Sequence, residues 1–342
     1  MRFKKARLFM AVLSLAVLPF SDLWADDRFN QNLNAERRLN EMQQAFRSSN
    51  FELYFVKQTM AASEPVSFSH GVIDGRQYSH WLYLNGMPMG YFSAEGIMAY
   101  FRAGSQPEII NNGKHPFLLG RFNTVSTDRI LKNYVPVVTG RHRIAGRDVF
   151  MVRLSPKKND RYGYVLYVDE ITNILLQIDV VNPLDGSLME SYLATHFIYT
   201  ESPNRIIQNI NEAYLKESAQ SFEQSGTATE DGVAVTDKDS EHKNSLNWEP
   251  AYIPSGFEMV QSETYPMPGS ETDVEHLLFT DGITDFSVYR IHALEGSDFP
   301  VVKQGTTNLL RYKAPPYEIV VVGDILMDTE DKIAKSYSEI KK

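Results

Sequence analysis

The sequence predicts a mainly β protein with an α+β second part: a strongly bent antiparallel sheet with helices tucked into its concavity, then a smaller α+β domain. Three observations predict it. From Phe51 to about Phe197, short runs rich in aromatic and β-branched residues repeat, separated by turn formers such as Asp74-Gly75, Asn85-Gly86, Glu95-Gly96, Asn159-Asp160 and Asp185-Gly186. In "YSHWLYLNGMPMGYF" apolar side chains fall on both faces, so the strands need cover on both sides. A small, polar, acidic stretch over 216–247 reads as a flexible linker, and beyond it alternation resumes in a second block.

The elements follow in order. Arg2, Lys4, Lys5 and Arg7 precede an apolar run from Leu8 to Phe20, and Ala25 stands just before Asp26 and Asp27. That order predicts a secretory signal peptide over 1–25, cleaved near Ala25. The apolar run is short of the roughly 20 residues a spanning helix needs. Next, Leu33, Leu39, Met42 and Phe46 are spaced for one apolar helical face, which Ser48, Ser49 and Asn50 end. A large domain over 26–215 holds the strand runs, with an irregular piece from Pro107 to Val135 that turns helical after Thr127. The second domain, 248–342, carries a hairpin over Asp281-Gly282, the strand "VVVGDI" and a helical tail "MDTEDKIAKSYSEIKK". Asp328 or Thr329 would cap that helix, with acids in its first turn and lysines at its end.

Composition excludes several functions. The chain has 342 residues, a formal net charge of −9 and no cysteine. Removing the signal takes away four basic residues and Asp22, leaving 30 basic and 42 acidic residues, a net of −12. Such a chain is poorly suited to phosphate backbones, so no nucleic acid partner is expected. Without cysteine there is no disulfide framework, thiol nucleophile, thiolate metal site or N-terminal lipid anchor on a cysteine.

No catalytic residue emerges. There is no G-x-S-x-G elbow, H-E-x-x-H pair, phosphate-binding loop or G-x-G-x-x-G. The eight histidines are scattered; His70 and His80 could approach across paired strands, but two imidazoles without a carboxylate do not make a site, so no metal or other cofactor is expected. The acids Glu271 and Asp273, and Asp328, Glu330 and Asp331, read as turn and helix-start residues, explained by capping and solvation. Two features remain open. The hairpin "GRHRIAGRDVF" places Arg141, His142, Arg143 and Arg147 together in an acidic chain, either as a solvated tip or as an anion or acidic-partner contact. Met and aromatic residues crowd the first block, from Trp81 to Phe101, either as ordinary core or as an adaptable apolar surface.

The same residues carry a family resemblance. "GR-x-RIA-x-R" (Gly140, Arg141, Arg143, Ile144, Ala145, Arg147), "RYGYVLYVD" and "ILLQIDVVNPLDGSLME" look like the central segment of the MucB/RseB family, periplasmic negative regulators of the sigma-E envelope-stress response. Leu84, Gly86 and Pro88 resemble its "L-x-G-x-P" hairpin, and Trp248, Pro254, Gly256, Phe257, Ser287 and Val288 resemble the start of its second domain. The resemblance covers nearly all of the chain after the signal. It implies a periplasmic protein, not an enzyme, whose large domain is a half-open antiparallel β-barrel with packed helices like the lipoprotein carriers. It implies binding of the periplasmic segment of an inner-membrane anti-sigma factor, shielding from a site-1 protease, and response to a lipid or lipopolysaccharide-type ligand. On that basis Trp81, Tyr83, Met87, Met89, Tyr91, Phe117, Leu118 and Phe122 are candidates for a lipid groove, and Arg141, Arg143 and Arg147 for partner or anion contact. A homo-oligomer stays open. The rival expectation is a periplasmic lipoprotein or lipid carrier, against which the second domain counts.

Overall fold

The computed structural model describes residues 21–94, 97–110, 117–209, 246–267, 272–293 and 301–339. The expected signal peptide up to residue 20, the expected turn at Glu95-Gly96 and the expected linker, apart from Leu246 and Asn247, lie outside them. Helix α1 (Ser21–Ser48) comes first, and the cleavage expected near Ala25 falls in its second turn. Ala35, Leu39, Met42 and Phe46 are buried along one stripe of it, as their spacing of three and four requires.

Eleven strands form one antiparallel sheet. In chain order they are β1 (Asn50–Thr59), β2 (Ser63–Ile73), β3 (Arg76–Tyr83), β4 (Met89–Ala94), β5 (Ile97–Arg102), β6 (Glu108–Ile110), β7 (Tyr134–Ile144), β8 (Arg147–Pro156), β9 (Gly163–Asp169), β10 (Leu175–Val181) and β11 (Leu188–Thr200). Their spatial order is β6-β5-β4-β3-β2-β1-β11-β10-β9-β8-β7, so β6 and β7 end the sheet without pairing to each other. The sheet curls around α1. Arg38 lies over Phe150 of β8 at 4.4 Å, while Phe46 stacks beside Phe68 of β2 at 6.2 Å. Those two helix positions are about 12 Å apart along the axis. In a flat sheet β8 and β2 would stand about 24 Å apart. The register also settles the histidine pair. His80 faces Ser69 and His70 faces Ser79, so the two imidazoles point to opposite faces of the sheet and cannot meet.

Two short helices cross the irregular piece. α3 (Thr127–Asn133) stands where helical content is expected, capped by Ser126, whose hydroxyl accepts from the Arg129 amide at 3.3 Å. α2 (Leu118–Thr124) has no sequence signal, since seven residues around Gly120 show no periodicity. Tertiary contacts hold it instead. Leu119 and Phe122 are buried, and Gln43 of α1 donates to the carbonyls of Phe122 and Val125 at 3.0 and 2.6 Å.

The second domain is a six-stranded antiparallel sheet ordered β13-β14-β15-β18-β17-β16, built from β13 (Glu258–Pro266), β14 (Asp273–Thr280), β15 (Asp285–His292), β16 (Val302–Gln304), β17 (Thr307–Ala314) and β18 (Tyr317–Gly323). Helix α5 (Met327–Lys335) covers one face; α4 (Arg205–Asn209) belongs to the large domain, where it packs on β2 and β3. Trp248, Leu277, Phe286, Val288, Val321 and Ile333 centre the core. Three expectations are corrected here. The cap of α5 is Leu326, with no side-chain bond, because the Thr329 hydroxyl is taken by the Asp160 carbonyl of the large domain. The tail does not stay helical: β19 (Tyr337–Glu339) pairs with β12 (Trp248–Pro250), tying the end of this domain to its beginning. And Glu330, expected in water, is fully buried.

Candidate functional site

The concave face brings most of the apolar candidates together, and they fill it. Trp81 of β3 stacks on Phe117 at 3.4 Å between ring centroids and 6° between planes, and Tyr91 of β4 meets Phe117 edge-on at 5.1 Å. Phe55 and Phe68 close on Trp81 at 4.6 and 5.8 Å, and Phe122 packs edge-on against Tyr164 at 5.0 Å. Tyr83 and Leu118 are half-buried against the same core, with burial pushing the Tyr83 hydroxyl up to about 12. Met89 is half-buried under the Tyr100 hydroxyl, and Met87 is 59% exposed at the hairpin tip, apart from the rest. The space left between Leu53, Phe55, Leu119, Leu176 and Tyr192 is about 10 Å³. Ligand pockets for drug-sized apolar molecules run to about 300 Å³ or more. Among the described residues, Leu119 of α2 closes the hollow at this point, and Phe117 covers Trp81.

The basic hairpin splits into different roles. Arg147 forms a two-point pair with Asp169, Nε and Nη2 donating at 2.6 and 2.9 Å, and its guanidinium lies 5.1 Å from the Phe197 ring. Asp169 also accepts from the Thr172 amide and hydroxyl at 2.7 and 2.8 Å, closing the β9–β10 turn. Burial works to raise the Asp169 carboxyl, but Arg147 and Thr172 together hold it below the usual range. Arg141 pairs with Glu170 at 2.7 Å while staying 81% exposed, and Arg143 is exposed on β7. Arg147→Ala should cost about 1–3 kcal/mol, because it strands a buried carboxylate. Arg143→Ala should stay within about 0.5 kcal/mol of the parent. Urea unfolding of both variants checks the contrast; equal losses would refute it.

A feature with no sequence signal is the seam between the two domains. Arg161, 2% exposed, donates Nε to Asp160 at 2.8 Å, Nη1 to Asp281 at 2.7 Å and Nη2 to the Ser255 carbonyl at 2.5 Å, with its guanidinium 4.7 Å from the Phe257 ring. Asp281 accepts in turn from the amides of Ile283 and Thr284 at 2.9 and 2.8 Å. The Tyr164 hydroxyl bonds Thr284 at 3.0 Å, and Arg121 of α2 pairs with Asp285 at 3.1 Å and donates to the Ile283 carbonyl at 2.9 Å. Ile283 and Leu326 join the core of the large domain. Gly256, at φ 86°, abuts the Asn133 side chain so closely that no Cβ fits. Arg161 reads in sequence as the start of a strand and Asp281 as a turn residue, and nothing local says they meet. Beside the seam lies a polar cleft of about 320 Å³ lined by Lys57, Glu64, Arg121, Glu190, Thr307 and Asp324.

One arrangement has the order of a nucleophile relay. His276 bonds Ser287 through Nε2 at 2.9 Å and Glu263 through Nδ1 at 3.0 Å. Acyl transfer also needs free N–H donors aimed at the developing oxyanion. Ser287 sits on β15, paired on both sides by β14 and β18, so the amides around it are spent in the ladder. His276, stacked on Tyr289 at 4.5 Å, is a sheet contact. Among the described residues no group of three His, Cys, Asp or Glu could hold a metal, and no helix is long and apolar enough to cross a membrane.

The MucB/RseB N-terminal domain model matches residues 34–219 and the MucB/RseB C-terminal domain model matches residues 242–338. The chain belongs to the MucB/RseB family. It is 25% identical over 299 residues to the sigma-E factor regulatory protein RseB of Salmonella typhimurium, covering 87% of this chain and 88% of that one. It is 23% identical over 335 residues to RseB of Haemophilus influenzae, covering 97% and 98%. The solved complex of Pseudomonas aeruginosa MucA/MucB contains a chain that superposes with a TM-score of 0.69 at 21% identity, over 90% of this chain and all of that one. The two-domain fold is thus that of the family, from the mainly β large domain to the smaller sheet domain.

Proposed function

We propose that this chain is a periplasmic regulator that holds the periplasmic segment of an inner-membrane anti-sigma factor and shields it from proteolysis. The observation that supports it best is the match to both domains of the family, in order, together with likeness to a MucB solved in complex with MucA. It acts by occlusion, with no bond made or broken. Export with cleavage near Ala25, and working boundaries of 26–215 and 248–342 for the two domains, belong to the same proposal. Of the three sequence candidates for contact, the exposed Arg141 and Arg143 suit an acidic segment, whereas Arg147 is committed to Asp169. A lipid signal would relieve inhibition only by binding the free form better than the complexed one, and on the concave face it must first displace Phe117.

The test is copurification of the full chain with the periplasmic segment of an anti-sigma factor, followed by digestion of that segment with a site-1 protease. Retention and slowed cleavage are expected. Loss of both, with transfer of lipoproteins between membranes by the same preparation, would favour the carrier instead.

A further inference from the structure

Glu330 is fully buried, and neither oxygen of its carboxylate has a hydrogen-bond partner. A buried acid in that state is expensive to keep ionised. Its position is what gives this consequence. Leu326, four residues before it, sits in the large-domain core, and Thr329, beside it, donates its hydroxyl across the seam to the Asp160 carbonyl at 2.8 Å. Positions 326, 329 and 330 share one face of the first turns of α5. That face is the seam.

Among the described residues, the charged surroundings offer Glu330 no counter-ion. Asp324, on the loop before α5, is a second carboxylate, held by the Thr307 hydroxyl at 2.6 Å. Tyr162 of the large domain accepts from Asn308 of β17 at 3.4 Å, and Glu190 of β11 pairs with Lys57 at 3.4 Å. Arg161 is committed to Asp160 and Asp281. Lys332, two residues on, lies on another face of the helix.

We propose that the Glu330 proton is a latch for the two domains: as the carboxyl ionises, the seam around the first turn of α5 loosens and the domains part. Burial pushes this carboxyl up to about 8, Asp324 adds repulsion, and the Gly323 amide eases the charge without closing a hydrogen bond. In the opened seam, water returns the group to its ordinary value of 4.5. Opening therefore releases a proton. The closed seam is fully favoured below pH 4.5, weakens as pH rises, and reaches its weakest state above about 8. Across that window the opening constant rises by up to about tenfold per pH unit.

Hydrogen exchange followed by mass spectrometry on the full chain, between pH 5.5 and 8.5, tests it. Protection factors for peptides over 160–164, 281–284 and 326–330 should fall steeply with pH, while those of β15 and β18 hold. Glu330→Gln should make the seam profile flat. In Asp324→Asn the fall should end at lower pH, since the repulsion is gone; an unchanged end point counts against Glu330 as the titrating group. A seam profile already flat in the parent, or unchanged by Glu330→Gln, overturns the proposal. So does loss of protection in β15 and β18 alongside the seam, which would mean that the carboxyl governs folding of the small domain alone.

Discussion

Arg161→Met is expected to destabilise the folded chain by about 3–5 kcal/mol, the usual cost of removing one partner from a buried charge pair. The substitution leaves Asp281, 1% exposed, facing Asp160 with no cation between them, and it strips the Ser255 carbonyl of its donor. Burial already pushes the Asp281 carboxyl up, with the Thr284 amide and Arg161 working to keep it charged. Taking Arg161 away leaves the backbone amides alone against desolvation. Denaturant unfolding of Arg161→Met, Asp281→Asn and the double variant separates the pair from the packing. The double variant should lose less than the sum of the singles. Additive losses would mean that the pair carries no coupling and that the Phe257 contact explains the effect.

Trp81→Ala should cost a similar amount, about 3–5 kcal/mol, by emptying the centre of the concave face. Trp81 is 2% exposed and touches Phe55, Phe68 and Phe117, so few neighbours are free to collapse into its place. The vacated space is lined by rings and should stay dry, open to a small apolar molecule. Millimolar indole should then raise the melting temperature of the variant and leave the parent unmoved. A loss under about 1 kcal/mol would instead show that the ring is loosely held and the hollow already open.

The strand meander was legible because alternation and turn dipeptides are local: Asp74 and Gly75 both take positive φ where the β2–β3 turn needs it, as a two-residue hairpin demands. The helix stripe Leu39, Met42, Phe46 was legible for the same reason. What local pattern could not carry was pairing at long range. α2 exists because Gln43, 79 residues earlier, binds its carbonyl. Arg161 and Asp281 are 120 residues apart. Glu330 looked like a helix-start acid, yet it is fully buried beside Leu326 and Thr329, which both meet the large domain. The apolar candidates were grouped by residue type alone, and Met87 stands apart from them; whether the rest line a groove or fill it depends on Phe117, whose ring reaches Trp81 from another segment.

Among the described residues the sheet does not close and β7 is a terminal strand, which bears on Arg141 and Arg143. A long, regular strand at such a border invites other chains to add onto it. β7 carries Pro136, which has no N–H to offer, an irregularity between Val138 and Gly140, and then the exposed Arg141, His142 and Arg143. Each of these discourages a neighbour from docking in register. Neutralising Arg141 and Arg143 would thus be felt first in how crowded solutions of the protein behave on storage, well before any change in how the single molecule folds.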